Sequence, residues 1–263
     1  MIGPEFASAF LKLSRAKEHF DTVKTELILW AQTDPYLVFR KSNVDGSHHS
    51  LFVELKERPP LDKLSLLTGD CIHNLRSALD NLVYAVAIKV SGSNPPPNSD
   101  TLQFPIADTR EAFTKQAWRL GPIKEPELVA RFKRAQPYNR PHPQLPPLLR
   151  LLADFNNADK HRLLNVVIDN VQQGEFSITL PDDRSVILMP SFSYNPGPIK
   201  SGTEFASFTM NPPNPGVNYK YKATFVISIA HSAGPSGRAF GELGYILELL
   251  INEVETIVNS FVF

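Results

Sequence analysis

Apolar residues recur at three- and four-residue steps through Phe10, Leu13, Phe20, Val23, Leu27 and Trp30, which predicts an amphipathic helix over about residues 8–32. Asp34-Pro35 ends it, because the residue before a proline is pushed out of the helical region. Residues 36–41 and 51–56 then alternate around Asp45-Gly46, the pattern of a β-hairpin. Pro59-Pro60 introduces a long helix over about residues 61–90. Leu64, Ile72, Leu75, Leu79, Leu82, Val83 and Val86 fall on one arc of it. On the other lie Asp70, His73, Asn74, Ser77, Asp80 and Asn81, with Arg76 at the edge. There is no Lys or Glu between Lys63 and Lys89, although these are the usual residues of a solvated helix face. Such a polar stripe is suited to facing other protein groups or a ligand.

Ser91 to Pro97 reads as a loop, followed by shorter helices near 109–119 and 125–135. Pro146-Pro147 can supply the first turn of a helix carrying Leu148, Leu149, Leu151, Leu152 and Phe155. From Leu163 the texture turns to strands, at 166–168, 176–180, 186–189, 205–209 and 223–229, with a tight turn at Pro181–Arg184 and a longer loop at 211–218. Helical spacing resumes from Gly241 to Val262. This order predicts an α+β fold: a helical bundle with an N-terminal β-hairpin and an inserted antiparallel β-sheet. One domain over 1–263 is expected, its helical part about 8–162 and 240–263 and its sheet region about 163–232.

Composition narrows the function classes. The chain has 27 Lys plus Arg against 27 Asp plus Glu, so any electrostatic recognition must come from local clustering. A single cysteine, Cys71, excludes an intramolecular disulfide and a Cys-based zinc site. On a helix it points toward the apolar flank, away from His73, which argues against a thiol nucleophile. No basic, then apolar leader stands at the start, and no run reaches the about 18 apolar residues that span a bilayer. A cytoplasmic protein without membrane contact is the expectation. No Walker loop or Gly-x-Gly-x-x-Gly occurs.

A second polar cluster, Asp154 to Arg162, follows the helix at 148–155 and includes Asp159, Lys160, His161 and Arg162. Three readings stay open for the two clusters. They can form a buried polar network that fixes helix register. They can form a phosphate-handling site, with His73 or His161 as base and Arg76 and Arg162 on the phosphate. Or Asp70, His73, Asp159 and His161 can bind a divalent ion as a metal-dependent hydrolase would, although neither pair has the Glu-x-x-His form of di-iron bundles.

His73-Asn-Leu-Arg-Ser-Ala-Leu-Asp80 and Asp159-Lys-His-Arg162 resemble paired motifs of a group of bacterial proteins, and the first motif distantly resembles the HEPN superfamily. That resemblance covers the helical part. It implies RNA as partner, a homodimer, and metal-independent endoribonuclease activity of the kind found in bacterial defence or toxin systems, with no cofactor. It makes His73, Arg76 and His161 the catalytic candidates. Asp70, Asn74, Asp80, Asn81, Asp159, Lys160 and Arg162 become binding candidates. Asn81 stands where the Arg-x4-His pattern of the superfamily has its histidine.

The stretch from Arg110 to Arg150 is locally basic, with nine Lys and Arg against three Glu. Phe113, Trp118, Phe132 and Tyr138 interleave with these charges, as stacking platforms for RNA would. The same spacing also suits aromatic residues turned to the core with cations solvated opposite.

Overall fold

The computed structural model describes residues 3–160, 164–179, 185–186, 193–194, 199–211, 213, 218–230 and 239–262. Its elements are α1 (Ala7–Gln32), β1 (Tyr36–Ser42), β2 (His48–Leu55), α2 (Leu61–Ser91), α3 (Arg110–Gln116), α4 (Pro126–Arg134) and α5 (Leu148–Asp159). They continue with β3 (Asn165–Thr179), β4 (Ser185–Val186), β5 (Ser193–Tyr194), β6 (Thr203–Thr209), β7 (Asn218–Ala230), β8 (Ala239–Glu242) and α6 (Leu243–Asn259). The fold is α+β, and all its strand pairs are antiparallel.

Where one domain is expected from the order of elements, the chain divides into two compact units. Met1–Lys24, Asp62–Leu164 and Gly244–Phe263 make a helical unit, while Thr25–Leu61 and Asn165–Leu243 make a strand-rich one. The hairpin belongs with the strands. The reason lies in β2, which pairs with β1 on one side and with β6 on the other, from His48↔Thr209 to Val53↔Thr203. Isolated hairpins are marginal, and this one is completed by a strand from far along the chain.

The helical unit is organised around α2. Fifteen of its 31 residues are buried, among them Leu64, Ile72, Leu75, Leu79 and Val86, but also Thr68, Gly69 and Asn74 on the polar side. Lys and Glu are missing because the helix has packing neighbours on most of its circumference, and long charged side chains have no solvent there to reach. α1 contributes Ala9, Leu13, Ala16 and Val23, and α6 contributes Leu247, Leu250, Val254 and Val258. Phe132 of α4 packs edge-on against Phe104 (5.7 Å between ring centroids) and tilted against Phe261 (4.5 Å). Cys71 is buried, and that burial pushes its thiol up to about 12, which leaves it a small apolar core residue.

The strand-rich unit holds two sheets, ordered β1-β2-β6-β5 and β4-β3-β7-β8. Leu51, Val53, Phe205 and Phe208 are buried from the first, Ile168, Ile227 and Ile229 from the second. The one sheet expected from sequence is therefore two among the described residues, and the hairpin is part of one of them. At the hairpin end His49 is fully buried and stacked on Phe208 (4.8 Å). Its Nδ1 lies 2.7 Å from Ser42 Oγ and its Nε2 lies 3.0 Å from the Gly46 carbonyl. A carbonyl can only accept, so Nε2 carries the proton and Nδ1 accepts from the serine.

Candidate functional site

The polar stripe of α2 separates into two halves with different fates. In the C-terminal half, Arg76 Nη2 donates to Asp80 Oδ1 at 2.7 Å and to the Phe104 carbonyl at 2.8 Å. The Phe104 amide donates to the same Asp80 oxygen at 2.8 Å. An i,i+4 pair on one helix thus closes a three-membered circuit with the backbone of the segment following α2, placing Phe104 in the core. The side chains retain 12% and 28% exposure, so the pair is largely withdrawn from water. Burial pulls the Arg76 guanidinium below its ordinary value and pushes the Asp80 carboxyl up, against the attraction between them. Arg76, a catalytic candidate from sequence, has its Nη2 engaged by Asp80 and by the Phe104 carbonyl. Asp80, read as a binding residue, is its partner.

The N-terminal half meets α5. Asp159 lies directly over Gly69: a Cβ there would run into its carboxylate, with Cγ at 2.8 Å. Gly69 is what lets the end of α5 approach α2 this closely. Burial pushes the Asp159 carboxyl up, the negative charge of Asp70 pushes it further, and His73 works in the opposite sense. Asp70 and His73 are exposed, and Ser77 Oγ reaches His73 Nε2 only at 3.5 Å. Asn74 is buried, donating through Nδ2 to the Asp70 carbonyl at 2.8 Å and accepting from Lys12 at 3.4 Å. Lys160 is exposed, and its charge bears on Asp80. Asn81 is half-buried.

The structure thus places Asp70 and His73 near Asp159, while Arg76 is engaged in its own circuit. His161 and Arg162 lie outside the described residues. Among the described residues no group of three His, Cys, Asp or Glu side chains is arranged to hold a metal ion. Among the described residues, the N-terminal half of the stripe thus sets two carboxylates, Asp70 and Asp159, beside the imidazole of His73.

The basic stretch behaves differently. Phe113 and Phe132 are core residues, and only Trp118, at 59% exposure, and half-buried Tyr138 are available for stacking. Several of the cations are neutralised. Arg131 pairs with Glu127 at 2.9 Å, Arg140 grips Glu253 bidentately at 2.5 and 2.6 Å, and Arg150 pairs with Asp108 and Asp154. Arg110, Lys133 and Arg134 are exposed and enter no ion pair among the described residues.

Two of these three meet in a cleft. Arg110 and Thr114 of α3, Lys133 of α4, and Tyr138 and Asn139 of the 3-10 turn after α4 line a hollow of about 230 Å³. Local chemistry sets its walls. Thr109 caps α3 by accepting from the Ala112 amide at 3.1 Å. Asn139 Nδ2 donates to the Lys133 carbonyl at 2.8 Å, which folds the turn back over the end of α4. Gln136, fully buried, donates to the Phe132 carbonyl and accepts from the Ala107 amide, both at 2.9 Å. Burial pushes the Tyr138 hydroxyl up; Arg110 pulls it down and Glu111 pushes it up. At neutral pH it is a phenol, able to donate. Sequence reasoning named Arg110, Lys133 and Tyr138 as part of a basic stretch but not as a site. Thr114 and Asn139 carried no signal, since their place depends on how the turn folds back.

No family model matches the chain, and neither a curated protein nor a solved structure matches it.

Proposed function

We propose that the helical unit binds phosphate groups of RNA or of a nucleotide in the cleft between α3 and the end of α4. The observation that carries this is the convergence of Arg110 and Lys133, two exposed cations that enter no ion pair among the described residues, beside a phenol and an amide in one concave site. An anion seated there gains charge-assisted hydrogen bonds from both, and Tyr138 offers a ring face to a base. The resemblance of the α2 motif to HEPN bundles supports RNA as the ligand class. Cleavage is not part of the proposal, because Arg76 is committed to Asp80 and Phe104 and the stripe exposes carboxylates. For Arg76 and Asp80 the reading favoured by their hydrogen bonds is a buried network that holds the segment after α2.

Titration of the full chain with AMP and with a short single-stranded RNA, in the presence of a chelator, tests the reading. Lys133→Ala is expected to weaken both about tenfold, the worth of one charge-assisted hydrogen bond. His142→Ala, outside the cleft, should leave both unchanged. Undetectable binding, or binding indifferent to Lys133, overturns it.

A further inference from the structure

A second cleft adjoins the first across the last turn of α4. It has a volume of about 380 Å³ and is lined by Arg131, Arg134 and Ala135 of that turn and by Arg140, Thr256 and Ser260. Lys133 lines one cleft and Arg134 the other, and successive residues on a helix point about 100° apart. The turn is thus a ridge with a cation on each flank. The 3-10 turn Pro137–Asn139 and Arg140 repeat the arrangement, with Tyr138 in the first cleft and Arg140 in the second.

The charges of the second cleft are unequal in availability. Arg131 is held by Glu127 and by the Ser260 carbonyl, each at 2.9 Å. Arg140 spends Nε and Nη2 on Glu253, itself only 9% exposed, so Glu127 and Glu253 are each already bound to an arginine of this cleft. Arg140 Nη1 still has hydrogens to donate. Arg134 is exposed and enters no ion pair among the described residues.

We propose that the two clefts form one track for single-stranded RNA, with a phosphate in each and the chain crossing the last turn of α4. The inference rests on the phosphate-binding reading of the first cleft and sharpens it: a polynucleotide, rather than a mononucleotide, is the ligand. A mononucleotide fills the Arg110–Lys133 cleft alone. A longer strand adds Arg134 and the free edge of Arg140, with Tyr138 under a base beside the ridge. Flexible single strands can bend over such a ridge, whereas a stiff duplex cannot enter both hollows.

The test is a comparison of AMP with oligoadenylates of about two, four and eight nucleotides, read by fluorescence anisotropy and competition with a chelator present. Affinity is expected to rise with length up to about four nucleotides. Arg134→Ala is expected to weaken the longest strand about tenfold and to leave AMP within twofold, while Lys133→Ala weakens both. Arg134 is exposed, and an unchanged melting curve for the variant checks that the fold is intact. Binding of AMP with no gain from length, an Arg134→Ala variant indistinguishable on the long strand, or tighter binding of duplex RNA each overturns the track. The first two outcomes leave the first cleft standing. Failure of every ligand, AMP included, overturns both readings.

Discussion

A single guanidinium shows how differently the same residue type can be employed in one chain. Arg76 has lost most of its hydration to a carboxylate and a carbonyl, whereas Arg134 stands in water with no carboxylate claimed. Truncating Arg76 therefore leaves Asp80 without its counter-ion and the Phe104 carbonyl without a donor. Arg76→Ala is expected to cost about 3 kcal/mol in urea unfolding, the low end for a broken buried pair because Asp80 keeps some exposure. Arg76→Lys should recover little, since one ammonium cannot reproduce the planar fork. A loss under about 0.5 kcal/mol, within the range of ordinary surface substitutions, would remove the structural role assigned to this pair.

Between elements, the most specific contact is the one that Gly69 permits. Glycine inside a helix costs about 1 kcal/mol relative to alanine, so a mid-helix glycine needs a packing reason. Here the reason is the Asp159 carboxylate above it. Gly69→Ala alone is expected to destabilise, by driving the end of α5 off α2. In an Asp159→Ala background the same change should stabilise by about 1 kcal/mol, as helix propensity alone dictates. A double-mutant cycle with additive effects would show that the contact does not set the α2–α5 spacing.

The same element scale shows what was legible beforehand. Periodicity located α1, α2, α5 and α6 to within a few residues, because each buries a continuous face against neighbours that are themselves helices. It also paired the α2 stripe with the Asp159 cluster, since both are polar runs flanked by core residues. It could not see that β2 would find β6 about 150 residues later, because strand partnership is written in long-range register rather than in local alternation. Nor could it separate Arg76 from Arg134. Both are arginines on helices, and only the backbone carbonyl brought over by Phe104 distinguishes them.

For the molecule as a whole, equal numbers of acids and bases mean that no global field draws in a polyanion. Affinity has to come from local groups of cations such as Arg110, Lys133 and Arg134, which enter no ion pair among the described residues. With one phosphate in each of the two clefts, log Kd for a single strand should change with log salt with a slope of about 1.4, or about 0.7 per phosphate. Arg134→Ala, which removes the exposed cation of the second cleft, should take about 0.7 from that slope. A slope of about 4 or more would place the main interface elsewhere on the surface.

The division of the helical unit into three stretches of chain has a consequence for how the protein is made. Its first stretch leaves the ribosome before the other two, yet Phe261, which packs on Phe132, and Glu255, which holds Lys17 at 2.6 Å, come more than two hundred residues after α1 begins. The strand-rich stretches, ending at Leu243, are all synthesised before α6 emerges. The unit begun first is thus completed last. During translation α2 must wait with part of its apolar surface uncovered, which makes the interval before residues 244–262 arrive the period when the nascent chain most needs a chaperone.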